Sequence, residues 1–237
     1  MNRPLHTRFR PLAAAASLAV IALIATGCAG APAAEESAPD ANGSSYTVEH
    51  AMGETEFETV PERIVVLDSP QMDALVALGI TPVGAPEIGA GRGFPAYLAD
   101  DLDGTESIGF IAEPDVDAIA NLAPDLIIGS KVRHEALYEE LSAIAPTVFS
   151  EDTGTNWTEQ AVLTAAAVNQ SDAMDQLIKG VEDRAAEVGA AVEADGATAS
   201  IVRFRADNFR LYGPGTFSGS LLTDMGFDLG ADRDWNE

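Results

Sequence analysis

The sequence predicts an α/β fold of two lobes with parallel-rich sheets, bridged by one long helix. Short uncharged strands alternate with helical segments between residues 46 and 156. Two of these helical segments end at an Ala-Pro pair directly before an apolar strand, at Pro124 and Pro146, because proline cannot continue a helix but can precede a strand. From Ser171 an apolar stripe with helical spacing continues for roughly 24 residues, about 36 Å of helix. A helix of that length could connect two lobes.

The N-terminal segment has the features of an export signal. A basic start precedes a charge-free stretch, residues 12–25, which is too short to span a bilayer comfortably. The small residues before Cys28, the only cysteine of the chain, resemble the lipobox of lipoprotein signals. That resemblance implies a signal peptide over residues 1–27 and a lipid on Cys28. The alternative is a buried free cysteine.

The segment after Cys28 is predicted to be a flexible tether. Residues 28–45 are rich in Ala, Pro, Ser and acids and contain no large apolar side chain. Removing the three arginines of residues 1–27 leaves 10 basic against 38 acidic residues, a net charge of −28. Such a charge excludes nucleic acid as a partner. Without a second cysteine the fold has no internal disulfide and depends on burial of an apolar core.

Residues 46–156 are predicted to form an N-terminal α/β lobe. The run "RIVVLD" is a strand, followed by a helix with Ser69 as its N-cap and Gly79 at its end. A second strand, "TPVGAP", follows. Asp115 then opens a second helix, which is followed by a buried strand, "DLIIGS". The segment "HEALYEELSAIAPTVFS" repeats this order of helix and strand. Parallel sheets covered on both faces bind ligands at the carboxyl ends of their strands.

The rest of the chain divides into a helical segment, residues 157–196, that contains the inter-lobe helix, and the start of a C-terminal α/β lobe, residues 197–237. Two strands are predicted within "TASIVRFRADNFRLYG" and a helix at "SGSLLTDMG". Only 41 residues follow Gly196, fewer than a lobe of ordinary domain size needs. We therefore expect the second lobe to be incomplete in this chain, as in a C-terminally truncated sequence.

The order of these segments resembles the iron-siderophore and cobalamin solute-binding lipoproteins of ABC importers, which have a long helix as their hinge. The resemblance runs from about Tyr46 to the last residue and is carried by "PERIVVLDSPQMDALVALGITPVGAP", "EPDVDAIANLAPDLIIGS", "LSAIAPTVFS", the long helix and "FRLYGPGTFSGSLLTDMGF". It implies a ferric siderophore held in a cleft between two lobes, with delivery to a permease and its ATPase. It also implies a monomer, lipid-anchored on the extracytoplasmic face of the cell membrane, with no covalent cofactor besides the lipid.

Basic side chains are the first candidates for ligand contacts. Six of the ten in the mature chain fall near strand ends predicted to face the cleft: Arg92, Lys131, Arg133, Arg203, Arg205 and Arg210. Arg203 and Arg205 are expected on one face of a strand. Guanidinium groups bind carboxylate or catecholate oxygens well, although each could instead pair with a surface acid. The net charge of −28, in contrast, favours a cationic chelate through long-range steering. The two arguments oppose each other, so the sequence does not decide the charge of the chelate.

Aromatic side chains near the same strand ends are the second candidates, since they could pack on the apolar rim of a chelate or simply fill the core. Trp157 and Tyr212 stand first among a group that also contains Phe94, Tyr97, Tyr138 and Phe217. The predicted ligand-binding set is therefore Arg92, Phe94, Lys131, Arg133, Trp157, Arg203, Arg205 and Tyr212.

An acidic residue on each lobe docks the permease in the family that the chain resembles. In the first lobe the matching position, directly after "EPDV", is Asp117. The alternative role for Asp117 is stabilisation of a helix N-terminus, which contributes under about 1 kcal/mol. The matching acid of the second lobe would lie beyond residue 237.

Other functions have weaker support in the sequence. A zinc or manganese binder needs several histidines, and the mature chain has His50 and His134, far apart. Haem or cobalamin binding by the same fold remains an alternative, since one His or Tyr can ligate haem. An α/β enzyme is less favoured, because "GAGRGF" does not open a helix as a dinucleotide motif does and no nucleophile elbow is present.

Overall fold

The computed structural model describes residues 45–89 and 91–230, which lie within one compact unit, residues 40–237. The strands are β1 (Tyr46–His50), β2 (Gly53–Phe57), β3 (Ile64–Val66), β4 (Gly84–Glu87), β5 (Glu106–Phe110), β6 (Glu113–Pro114), β7 (Leu126–Ser130), β8 (Thr147–Ser150), β9 (Ile201–Phe204) and β10 (Phe209–Tyr212). The helices are α1 (Ser69–Ala77), α2 (Val116–Asn121), α3 (Lys131–His134), α4 (Tyr138–Ser142), α5 (Trp157–Ala167), α6 (Ser171–Ala191) and α7 (Phe217–Asp224).

The central sheet has six strands in the order β6-β5-β4-β3-β7-β8, and every neighbouring pair is parallel except β5 with β6. The strands β3, β7 and β8 are buried along their whole length, which explains why they carry no charge. The predicted α/β fold with a parallel-rich sheet is confirmed.

Apolar clusters cover both faces of the sheet. On one face Val66 and Ile128 pack with Met72 and Leu75 of α1, and on the other Val65 packs with side chains of α2 and α4. The second face allows a close approach at Gly84, where an added Cβ would lie 2.5 Å from Leu122 Cδ1. The strands therefore contribute alternate side chains to two separate cores.

The start of α1 corrects one prediction. The N-cap is Asp68 rather than Ser69: Asp68 has an extended backbone (φ −150°, ψ 162°) and its side chain accepts a hydrogen bond from the Ser69 amide. Both residue types are good caps, so the backbone conformation, rather than residue type, decides between them. Gly79 lies just past the end of the helix with φ +76°, as the predicted stop requires.

The long helix α6 spans 21 residues, about 31 Å, slightly less than predicted. After it, β9 and β10 form an antiparallel two-stranded sheet. The next helix, α7, approaches α6 closely at Gly189, where an added Cβ would lie 2.7 Å from Met225 Cα and closer still to the Met225 carbonyl. No helix among the described residues is both long and apolar enough to cross a membrane.

Candidate ligand-binding site

The carboxyl ends of β3, β7 and β8 carry a row of buried polar side chains. Ser130 is the register partner of Ser150, and Asp68 lies level with Ser130 because Val66, two residues earlier, pairs with Ile128. All three polar side chains are at most 5% exposed. The row thus marks the sheet edge at which parallel α/β sheets bind ligands.

Gln71 covers this row from the first turn of α1. Its Nε2 donates to the Gly129 carbonyl at 3.4 Å and to Ser150 Oγ at 3.3 Å. Its Oε1 and Ser130 Oγ have no hydrogen-bond partner among the described residues. Buried polar atoms without protein partners normally bind water or ligand. Gln71 Oε1 and Ser130 Oγ are therefore available to bind water or ligand at this edge.

Arg133 lies in the single turn α3 that follows β7. Its Nε is 3.2 Å from Asp68 Oδ2 and 3.3 Å from Thr153 Oγ1. The Nε–H points to Thr153, since Asp68 Oδ2 forms an ion pair without hydrogen-bond geometry. The side chain of Arg133 is 45% exposed and that of Asp68 is 3% exposed. The pair therefore joins a buried carboxylate to a guanidinium that reaches solvent.

The burial of Asp68 changes its acidity. Burial raises the pKa of Asp68 above its ordinary value, and the positive charge of Arg133 opposes that rise. A buried carboxylate is stable in its charged form only if it is paired and hydrogen-bonded. Arg133 and the Ser69 amide supply those two interactions.

His134, in the same turn, is buried and links the end of β7 to the turn between β5 and β6. Its Nδ1 accepts a hydrogen bond from the Ser130 amide at 3.3 Å, and Nε2 lies 3.0 Å from the Ile111 carbonyl. The amide requires Nδ1 to be an acceptor, so Nε2 carries the proton and donates to Ile111. Burial lowers the pKa of His134, which keeps the ring neutral.

Two other predicted cations have local partners. Lys131 forms an ion pair with Glu151 at 2.9 Å, and the hydrogen bond to Glu151 raises the pKa of Lys131. Arg92, in the loop after β4, donates from Nη2 to the Ile88 carbonyl at 3.1 Å. Lys131 thus lies at the same sheet edge as Arg133, while Arg92 folds back on its own loop.

A second set of contacts links α5 with α7. Trp157 is the first residue of α5; its Nε1 donates to Ser220 Oγ at 3.0 Å, and its ring meets Phe217 edge-on at 5.1 Å between centroids. Trp157, at the start of α5, therefore contacts the segment that follows α6.

The β9–β10 sheet has a basic face. Arg203 lies directly opposite Arg210, and Arg203 Nη1 lies 3.5 Å from the Tyr212 hydroxyl. Like charges directly opposite on paired strands are unfavourable unless an anion lies between them. The strand β9 ends at Phe204, so Arg205 does not share a strand face with Arg203 as predicted but lies in the turn, where its amide donates to the Asn208 carbonyl at 2.8 Å.

The remaining predicted residues lie elsewhere. Phe94 is half-buried and packs against the core cluster that contains Met72 and Leu75. Asp117 is exposed in the first turn of α2, next to Asp115, whose side chain caps that helix by accepting from the Ala118 amide. Cys28 lies outside the described residues.

Sequence reasoning missed the buried polar groups of the site. Asp68, Gln71, Ser130 and His134 are not among the predicted ligand residues; the available signal is an acid directly after the uncharged residues 64–67 of "RIVVLD". Among the described residues no three His, Cys, Asp or Glu side chains gather into a group suited to a metal ion. The described side chains at this sheet edge are the basic Lys131 and Arg133 and the hydrogen-bonding Gln71, Ser130 and Ser150.

Comparison with known proteins gives a consistent result. Residues 64–233 match the family described as periplasmic binding protein. A curated relative from Bacillus subtilis (strain 168), named "Probable siderophore-binding lipoprotein YfiY", is 43% identical over 76% of this chain and 56% of its own length. The Fe(3+) dicitrate-binding periplasmic protein FecB of Escherichia coli (strain K12) is 31% identical over 78% of this chain and 62% of its own.

Solved structures show the same fold. Staphylococcus aureus SirA complexed with staphyloferrin B matches with a TM-score of 0.71 and 36% identity, over 79% of this chain and 65% of SirA. The chain spans 56% to 57% of the length of the first curated relatives it matches.

Proposed function

The chain belongs to the periplasmic binding protein family, and from that premise we propose that it is the extracytoplasmic substrate-binding component of an ABC importer. It captures a ferric siderophore and delivers the complex to a membrane permease. The role we propose is binding without turnover, which is supported by the family match and by relatives that are named for binding.

The observation that carries this proposal is Arg133 at the carboxyl end of β7. The mature chain has a large excess of acids, yet this sheet edge carries a guanidinium that reaches solvent and has Lys131 two residues away. The carboxylate or catecholate oxygens of a ferric chelate fit such groups. The matched relatives that are named for siderophore and ferric citrate binding support the same ligand class.

The contacts after α6 supply the opposite side of the proposed site. Arg203 and Arg210 face each other without an acid between them in their strand register, which an anionic ligand would relieve. Tyr212 and Trp157 add aromatic surface. On this basis we propose the predicted lobe boundaries, with Lys131, Arg133, Trp157, Arg203, Arg205 and Tyr212 as ligand contacts. The roles of Arg92 and Phe94 stay predictions.

The membrane and transporter contacts complete the proposal. Cys28 carries the lipid that anchors a monomer outside the cell membrane, and exposed Asp117 contacts the permease, which its ATPase drives. A diacylglyceryl mass on Cys28 supports the anchor, whereas a released protein with an unmodified thiol contradicts it.

Quenching of tryptophan fluorescence tests the ligand class, because Trp157 at the start of α5 contacts α7 within the proposed site. The full natural protein is titrated with ferric citrate, a ferric trihydroxamate, a ferric tris-catecholate, cobalamin, haem and zinc. Saturable quenching by a ferric chelate supports the proposal. Binding of zinc, haem or cobalamin in place of every ferric chelate refutes it.

A further inference from the structure

We propose that Asp68 is a positioning residue that holds Arg133 so that its terminal guanidinium nitrogens face a carboxylate of the ferric chelate. This inference rests on the proposed function, and it adds a residue that does not itself contact the ligand. It also commits the partner of Arg133 to a carboxylate.

The two oxygens of Asp68 have separate tasks. Oδ1 accepts from the Ser69 amide at 2.8 Å and so caps α1. Oδ2 points the other way, to Arg133 Nε at 3.2 Å. Capping alone therefore uses only one of the two carboxylate oxygens.

The contacts of Arg133 occupy one edge of its guanidinium. Both Asp68 and Thr153 approach Nε, and the side chain as a whole is 45% exposed. A guanidinium held at Nε still has two terminal nitrogens, whose parallel N–H groups match the two oxygens of a carboxylate. Thr153 accepts the Nε–H bond, and the charge of Asp68 attracts the guanidinium at the same nitrogen. The buried acid thus acts on the fork without competing for the groups that would bind ligand.

Burial distinguishes Asp68, the acidic N-cap of α1, from Asp115, the acidic N-cap of α2. Asp115 caps α2 from an exposed position, so capping does not require burial. Asp68 is 2% exposed, and a buried carboxylate is costly unless it is paired. The cost of that burial is consistent with a second task, the orientation of Arg133.

The opposing interpretation is that Asp68 only weakens the site by neutralising Arg133. The two interpretations predict opposite results for Asp68→Asn. Asparagine keeps a capping oxygen but presents an amide or an uncharged oxygen to Arg133. Loss of orientation weakens binding of an anion, whereas loss of neutralisation tightens it.

A double-mutant cycle tests the inference with ferric citrate as the probe. Wild type, Asp68→Asn, Arg133→Ala and the double variant are titrated by fluorescence and unfolded in urea. We expect Asp68→Asn to weaken ferric citrate binding by about tenfold or more when Arg133 is present, and to have no further effect in the Arg133→Ala background. A merely structural role would weaken binding equally in both backgrounds.

Control variants keep the result interpretable. Asp115→Asn changes the other acidic cap and should leave ferric citrate binding unchanged. Asp68→Ser, which retains a capping oxygen, repeats the cycle if Asp68→Asn fails to fold. Tighter binding by Asp68→Asn, or additive losses in the cycle, overturns the inference. Failure of the wild type to bind ferric citrate also overturns it, while binding of another ferric chelate would leave the proposed function standing.

Discussion

We expect Gly189→Ala in α6 to destabilise the protein, whereas Gly180→Ala in the same helix should stabilise it. An added Cβ at Gly189 would lie 2.7 Å from Met225 Cα and closer to its carbonyl group. These are backbone atoms, which cannot move away by a change of rotamer. An added Cβ at Gly180 meets nothing within 4 Å.

The magnitudes follow from helix propensity and packing. Alanine stabilises a helix interior by up to about 1 kcal/mol relative to glycine, and Gly180→Ala should gain that amount. Overpacking costs up to about 3 kcal/mol, so Gly189→Ala should lose about 2 kcal/mol after the propensity gain is subtracted. For a chain of this size we expect the Tm to rise by about 2–4 °C at Gly180 and to fall by about 4–8 °C at Gly189.

Urea unfolding followed by circular dichroism at 222 nm measures both changes in free energy. The pair is well matched because both variants add one methyl group to one helix. Equal stabilisation by the two substitutions would refute the packing of α7 on α6, and with it the position of the segment that brings Phe217 to Trp157.

Two further predictions concern charge. Because burial lowers the pKa values of His134 and His50, the unfolded chain takes up protons first below about pH 6.5, and the free energy of unfolding should then fall as the pH falls. Buried His134 should contribute a slope of up to about 1.4 kcal/mol per pH unit until its folded-state pKa is reached, whereas partly exposed His50 should contribute less because water screens it. Urea unfolding between pH 8 and 5 measures this slope, and an unchanged slope in His134→Gln would contradict it. Lys131→Ala and Lys179→Ala each remove an exposed ion pair and should leave the free energy of unfolding nearly unchanged, because water and salt screen such pairs. Only Lys131→Ala should weaken ferric citrate binding, by about two- to fivefold, and equal effects on binding would contradict its place at the site.

The central sheet could be predicted because its signals are local. The strand β7, "LIIGS", is uncharged and begins two residues after a proline that ends a helix, so its burial and its start can be predicted from a few residues. Local sequence signals of the same kind predict β3, α1 and β8. The cap of α1 was assigned one residue too late because Asp68 and Ser69 are both good capping residues and only the backbone angles separate them.

The site depended on contacts that are distant in sequence. Asp68 and Arg133 meet because β3 and β7 are neighbours in the sheet, and strand order cannot be read from either segment alone. The end of β9 is a similar case: Arg205 falls in a turn that the Asn208 carbonyl closes, although the residue alternation suits a longer strand. Residue type therefore predicted Arg133 as a ligand contact, but not the acid that orients it.

The position of the iron atom tests the central claim most directly. Crystals of the full natural protein with ferric citrate would give an anomalous difference map at the iron absorption edge. We predict one iron peak at the carboxyl ends of β3, β7 and β8, with a citrate carboxylate on the terminal nitrogens of Arg133. Ordered protein with no bound iron at saturating ferric citrate would contradict the carboxylate partner of Arg133. An iron peak away from this edge would contradict the account.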